Sequence, residues 1–450
     1  MNSSFEDYQA ALDYIYSYVD FSRTHQADLS PENFDLSRME KFMEVLGYPQ
    51  DKYPTIHIAG SKGKGSVGAF CCSALRKGNY KVGFYTSPHL ENFEERIEVN
   101  GEPISRDVLV RYVSELKPSV DKVLDLTSFE IMTGLAYLYF AREEVDIAVI
   151  EVGLGGRLDA TNVITPAVSV ITSLYLDHIS ILGDTLEEIA DAKGGIIKHG
   201  IPAVSAPQSP GPLKVLKRIA AEQESMLIEI EQKYSYQIIS KSLDGQSFWL
   251  VNNDDSHRVQ FEIPLIGEFQ VINAVTAYGV LKTLASSGFY LSEETLKKGF
   301  LEVDWPARFE VLRKNPPVVV DSAHNPASMI KLRETIDDYF PGIPLILVFG
   351  VSEDKQLDAM LAEILPRTSH MIATQSDHPR AMNSESLQDL ALHFDCSTES
   401  IPDVGQALIR AITLAGKDQL VVVAGSIFVA ASGRIAWFEN HQDMGDNQKS

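Results

Sequence analysis

The apolar run at residues 55–59 passes without a break into Gly60, Ser61, Lys62, Gly63, Lys64, Gly65 and Ser66, and a helical pattern over 67–77 follows. Strand, glycine-rich turn, helix is the most constraining feature of this chain, because it fixes a sheet with a helix on one face. Glycines let successive backbone N–H groups converge, and the helix N-terminus adds the positive end of its dipole, so the turn is built to hold phosphate oxygens. Lys64 would lie against the terminal phosphates and the Ser66 hydroxyl near a metal. The match to G-x-x-x-x-G-K-[ST] is imperfect, since Gly65 separates Lys64 from Ser66. The plain alternative is a tight connection carrying two exposed lysines.

Short apolar runs at 82–86, 147–151, 168–172 and 203–206 alternate with helical patterns, as in an α/β fold with a largely parallel sheet. One such helix is Ser128 to Arg142, with Phe129, Met132, Ala136, Tyr139 and Phe140 at helical spacing; another opens on the capping pair Thr185 and Glu188. Residues 226–265 alternate differently and read as a small antiparallel appendage to the first domain. A helix at 272–285 precedes residues 302–308, which include Asp304, Trp305 and Pro306 and read as a linker. Beyond it the alternation restarts, with strands expected at 318–321, 345–349, 370–373 and 420–424. The expectation is therefore a phosphate-loop domain over 1–301 and a Rossmann-like α/β domain over 302–450, ending in a polar, frayed tail after Asn440.

Composition narrows the partners. The 450 residues carry 39 Lys+Arg against 62 Asp+Glu, a net charge of −23, which repels polyanions at long range and argues against nucleic acid or an anionic membrane as the main partner. Three cysteines, two of them the adjacent Cys71 and Cys72, make no disulfide framework. With no early cationic and apolar segment and no membrane-length run, the chain reads as a mature cytoplasmic protein.

The second informative block is Glu151-Val-Gly-Leu-Gly-Gly-Arg-Leu-Asp-Ala-Thr-Asn162, which opens at a strand end, where open α/β sheets bind ligands. Glu151 would offer a hard oxygen to magnesium, and Asp177 and His178 follow the next strand along the same rim. Lys193, followed by Gly194 and Gly195, reads from spacing alone as the basic end of a helix.

Taken in order, the loop at 60–66, Tyr85-Thr86-Ser87-Pro88-His89-Leu90, Glu95-Arg96-Ile97, the block 151–162, Asp177-His178, the run 193–198, Trp305 to Glu310, Asp321 to Pro326 and Gly425-Ser426 resemble the folylpolyglutamate synthase and dihydrofolate synthase family of the Mur ligase superfamily. The resemblance spans nearly the whole chain. It implies that Gly60, Ser61, Lys62, Gly63, Lys64, Gly65 and Ser66 hold ATP together with Asn273, Arg308, Asp321 and His324. It implies further that Ser87, Glu151, His178 and a carbamylated Lys193 hold two Mg2+ ions, and that Lys64, Lys193, His178 and Arg308 serve the chemistry. Thr127, Ser128, Phe129 and Glu130, with Leu158, Asp159 and Ala160, align with positions that contact a pteroate-containing substrate in bifunctional members.

The implied reaction activates a folate carboxylate as an acyl phosphate, which L-glutamate attacks, in a monomer whose site is completed by the second domain closing about 302–308. Whether dihydropteroate is also a substrate stays open at this stage, because Thr127 to Glu130 would equally suit a capped, core-facing helix. A Mur-type amino-acid ligase fits less well, since only 59 residues precede Gly60. A non-catalytic ATP-binding module is disfavoured by Glu151, His178 and Lys193 standing together. Three departures from the family pattern affect fine geometry: Gly194 for alanine, Ala307 for glycine and Glu268-Phe269-Gln270 where many members carry His-Gln; in the loop Ser61 and Lys62 replace threonine and asparagine, and Lys62 adds a charge.

Overall fold

The computed structural model describes residues 5–20 and 34–440, so the expectation for the tail after Asn440 lies outside the described residues. The chain divides into two compact units, one comprising Met1–Ile238, Phe248–Glu262 and Gln270–Val303, the other Ile239–Ser247, Ile263–Phe269 and Asp304–Ser450. Part of the antiparallel appendage therefore groups with the second unit.

In the first unit eight strands are β1 (Thr55–Ala59), β2 (Val82–Tyr85), β3 (Ile97–Val99), β4 (Glu102–Pro103), β5 (Ile147–Glu151), β6 (Val168–Ile171), β7 (Ala203–Ser205) and β8 (Leu227–Glu229). They form one sheet in the order β4-β3-β2-β5-β1-β6-β7-β8. Every residue of β1, β2, β5 and β6 is buried, the mark of a parallel sheet covered on both faces. Only β3 and β4 run antiparallel, at one edge. The chain leaves β1 toward β2 on one side and returns to β6 on the other, so β1 lies at the switch point of the sheet. Ile58 pairs with Glu151 and Ala59 with Ile171, which sets the ends of β5, β1 and β6 side by side where such sheets bind ligands.

The segment 226–265 corrects the sequence reading in part. Leu227–Glu229 is not antiparallel but joins the main sheet parallel to β7; three residues are too few for the alternation to reveal it. The rest forms a separate three-stranded sheet from Tyr234–Ser242, Gly245–Asn252 and Arg258–Ile263.

Those three strands are β9 to β11. In the second unit β12 (Glu310–Lys314), β13 (Pro317–Val320), β14 (Leu345–Phe349), β15 (Thr368–Ala373), β16 (Thr398–Ser400) and β17 (Leu420–Ala424) stand in the order β12-β13-β17-β14-β15-β16. All neighbours are parallel except β12 with β13. Val319, Leu347, Phe349, Met371 and Leu420 share its core. No helix among the described residues is long and apolar enough to cross a membrane.

Candidate active site

The phosphate loop is tighter than its sequence implied. The helix begins at Lys64, not Val67, because Gly63 takes a left-handed conformation (φ 88°) and serves as its N-cap. A Cβ at Gly63 would lie 2.4 Å from Asn273 Oδ1, so glycine also lets the loop touch the helix Glu268–Leu284. Asn273 donates from Nδ2 to Gln270 Oε1 at 2.9 Å, which orients its oxygen. The Ser61 and Lys62 N–H groups both donate to Ser173 O (3.0 and 3.1 Å), and Ser61 Oγ donates to Tyr175 O (2.9 Å). These bonds pin the loop to the segment after β6 and leave the first N–H groups of the Lys64–Lys77 helix as orphan donors for an anion.

Around that loop the structure gathers most of the proposed charged groups. Lys64 Nζ lies 3.6 Å from Glu151 Oε1, and Lys62 Nζ 3.4 Å from Asp177 Oδ2. His178 Nε2 is 3.8 Å from Asp177 Oδ1, and the His178 backbone sits at φ 51° where it starts the short helix Ile179–Leu182. Ser87 follows β2, the neighbour of β5, and is half-buried. Lys193 lies in the last turn of Leu186–Gly194 and is only 4% exposed. Burial above all, and then the charge of Lys64, bring its amine down to about 7, against the pull of Asp177 and Asp159. Among the described residues no three His, Cys, Asp or Glu side chains converge as a metal site.

The block 151–162 is held against the end of the Lys193 helix. Arg157 N donates to Ala192 O (2.9 Å) and Asn162 Nδ2 to Gly195 O (3.2 Å). Gly156 leaves no room for a side chain, since a Cβ there would lie 2.8 Å from Lys193 O and 3.0 Å from Ala192 O. The family departure at Gly194 has a local reason: Ile219 and Leu216 of Pro210–Glu222 fill the space a methyl would need, at 2.6 and 3.3 Å.

The proposed acceptor positions divide into two kinds. Phe129 lies over Gly153, whose added Cβ would be 2.5 Å from the ring, and its centroid is 6.1 Å from that of Tyr85; Leu158 is 44% exposed. Phe129, half-buried, and Leu158 offer apolar surface, while Tyr85 is fully buried. Thr127 and Glu130 instead close a capping box on Ser128–Arg142, with Thr127 N donating to Glu130 Oε2 at 2.7 Å, and Arg38 donates to the same carboxylate at 3.1 Å. Asp159 accepts from Leu154 N (2.8 Å) and Thr161 N (3.0 Å) and is buried beside Ala160, and burial raises its carboxyl above the usual range. Glu130 and Asp159 thus hold the backbone that presents the others. Ser128 is buried, its hydroxyl without a hydrogen-bond partner among the described residues. Arg38, 92 residues away from Glu130, gave no signal in the sequence.

In the second unit Arg308, Asp321 and His324 gather at the end of β13. Asp321 accepts from Phe309 N (2.8 Å) and Ala323 N (2.7 Å), Arg308 donates to Ser322 Oγ (2.7 Å), and His324 Nδ1 donates to Ser322 O (2.8 Å). Ala307 sits at φ 55°, a left-handed conformation that explains why glycine is the family's choice there.

A family model of the Mur ligase middle domain matches residues 58–281, and one of the Mur ligase glutamate ligase domain matches 307–427. The chain is 36% identical over 404 residues to the dihydrofolate synthase/folylpolyglutamate synthase of Bacillus subtilis, covering 87% of this chain and 92% of that protein. It superposes on the folylpolyglutamate synthase of Thermotoga maritima with a TM-score of 0.82 at 33% identity, over 99% of each chain. The Escherichia coli FolC structure in complex with DHPP and ADP gives a TM-score of 0.84 at 26% identity, over 98% of each chain. This chain belongs to the folylpolyglutamate synthase/dihydrofolate synthase family of the Mur ligase superfamily.

Proposed function

We propose that this chain is an ATP-dependent ligase that adds L-glutamate to a folate through an acyl phosphate. The observation that carries this reading is the meeting, at the switch point of one sheet, of a phosphate loop, Glu151 and a buried lysine whose amine is lowered to about 7. A carboxylate oxygen is a poor leaving group, and transfer of the γ-phosphoryl group of ATP onto it supplies a good one. Attack of the glutamate amine then forms the amide and releases phosphate, with ADP as the other product.

In this reading the loop 60–66 binds the nucleotide through Lys64 and the first N–H groups of the Lys64–Lys77 helix, together with Asn273, and Arg308, Asp321 and His324 are assigned to nucleotide binding from the second unit. Lys64 and Arg308 stabilise charge on the transferring phosphoryl group. Ser87, Glu151, His178 and Lys193 would hold Mg2+. One carboxylate and one hydroxyl are a thin set of hard oxygens, and Lys193 fits the deficit: a neutral amine adds CO2, loses a proton and becomes an anionic oxygen donor. Bound there, magnesium would offset the repulsion between the incoming carboxylate and the triphosphate.

Dihydropteroate is the second acceptor we consider, because Phe129 against Gly153 and the exposed Leu158 are apolar groups at the positions assigned to the acceptor and the related Escherichia coli protein was solved with DHPP. We place the enzyme in the cytoplasm as a monomer; three buried cysteines without a disulfide suit a reducing compartment. The test is phosphate release by purified protein given ATP, magnesium and L-glutamate, with tetrahydrofolate in one arm and dihydropteroate in the other. Release with tetrahydrofolate is expected. Release in neither arm refutes the folate reading.

A further inference from the structure

At the centre of β1, three residues before the phosphate loop, lies His57, fully buried in a strand otherwise made of Thr, Ile and Ala. A polar ring in such a place is unfavourable unless bonded. Its Nε2 is 2.9 Å from Thr161 Oγ1, and that hydroxyl donates its single proton to Asp159 Oδ1. The bond between ring and hydroxyl therefore has one direction: Nε2–H donates and Thr161 Oγ1 accepts. Nδ1 is then the unprotonated nitrogen, and it has no hydrogen-bond partner among the described residues.

Burial foremost, and Lys198 after it, bring the His57 pKa down to about 3, in keeping with a neutral ring. Thr161 is saturated in turn: its N–H donates to Asp159, and its carbonyl accepts from Tyr137 OH at 2.9 Å. On β6, the residue paired with His57 is Ser169, whose hydroxyl donates to Ile196 O at 2.8 Å in the run after Lys193. Neighbouring side chains of the sheet thus brace both the acceptor block and the lysine run.

We infer that His57 is a positioning residue for the acceptor substrate: through Thr161 and Asp159 it fixes the block 153–162, and with it Leu158 and Ala160, to the strand that carries the phosphate loop. The inference rests on the folate reading above only for the identity of the acceptor. A structural brace alone would loosen both substrates alike; a positioning residue acts on the substrate whose loop it holds. Asp159 would keep its bonds to Leu154 N and Thr161 N without His57, but the hydroxyl that links it to the sheet would lose its donor. The loss of one buried neutral hydrogen bond corresponds to about 10-fold.

Three variants test this. In His57→Gln the side-chain amide can reach the place of Nε2 and keep the donor, whereas His57→Asn falls short and His57→Leu has none. The expected result is a KM for the folate acceptor raised about 10-fold in the Leu and Asn variants, KM for ATP within about twofold of the parent, and recovery in the Gln variant. Amide exchange over 152–163, measured without any substrate, should rise about 10-fold in the Leu variant; this arm reads the brace even if the parent protein ligates no folate. Should His57→Leu fail to fold, Thr161→Val removes the same link and Thr161→Ser restores it. Equal increases in both KM values, no recovery with Gln or Ser, or unchanged exchange over 152–163 would overturn the inference.

Discussion

Gly156→Ala probes most directly how the glycine block serves Lys193. An added Cβ would meet Lys193 O at 2.8 Å and both Ala192 O and Lys193 Cα at 3.0 Å. All three are backbone atoms, so no flexible side chain can turn away, and the two segments must part by about half an ångström to reach ordinary contact. That displacement stretches the 2.9 Å bond from Arg157 N to Ala192 O. Overpacking of about 1–3 kcal/mol plus about 1 kcal/mol for the weakened bond gives a loss of roughly 2–4 kcal/mol. In a unit of this size that lowers Tm by roughly 4–8 °C. Because a 1 Å misplacement costs about 100-fold, half that shift at Lys193 should lower kcat about 10-fold. Gly200→Ala is the control: it has a left-handed φ of 68° but nothing within 4 Å of a new Cβ, so it should lose only about 1 kcal/mol and keep its kcat. Differential scanning calorimetry and phosphate release read the two effects. A Gly156→Ala protein no less stable than Gly200→Ala, or one with unchanged kcat, would refute the claim that this close approach sets the lysine.

Lys64→Met leaves the buried Glu151 carboxylate without its Lys64 countercharge and should destabilise the protein by about 2 kcal/mol; Lys64→Met/Glu151→Gln should regain most of that in thermal melts while phosphate release stays absent, and a double variant no more stable than the single would contradict the pairing. Two histidines predict an acid limb: burial, then Lys198 for His57 and Arg96 for His89, brings both rings from 6.5 to about 3. The unfolded chain therefore binds more protons between those values, and stability present above pH 6.5 is lost as pH falls toward 3. In His57→Leu the fall in Tm over that range should be shallower, and an identical fall would count against a neutral buried ring. Thr127→Ala removes the cap of Ser128–Arg142 and should cost about 1 kcal/mol in denaturant melts; a rise in acceptor KM beyond that in a remote cap variant would mark Thr127 as a substrate contact.

The sequence was most informative where a local pattern carries the chemistry. Strands β1, β5, β14 and β17 occupy the expected residues because a buried parallel strand is a short unbroken apolar run, and the helix Ser128–Arg142 has its N-terminal cap written locally in Thr127 and Glu130. What escaped was short or non-local. Strands β3, β4, β8 and β16 have two or three residues, too few for a period to emerge, and three of the five residues of β12 are the charged Glu310, Arg313 and Lys314. Nothing local announced that the segment after β6 brings Asp177 within 3.4 Å of Lys62. That Arg38, from a distant helix, meets the Glu130 carboxylate was equally invisible in the sequence. His57 was hidden inside the strand that announced the phosphate loop, because nothing within a run of apolar residues says that its partner lies 104 positions later.

Net charge illustrates the same division between composition and place. A charge of −23 excludes little about anionic small molecules, because binding depends on the field at the site and acidic side chains elsewhere are screened beyond about 10 Å. At the site each loop lysine faces a carboxylate, Lys64 against Glu151 and Lys62 against Asp177, and Lys193 is held near neutrality. The pairing has a consequence for order of binding. A nucleotide phosphate that draws Lys64 away releases Glu151 from that pairing and leaves its oxygens available to a cation, so phosphate and metal should bind together more tightly than either alone.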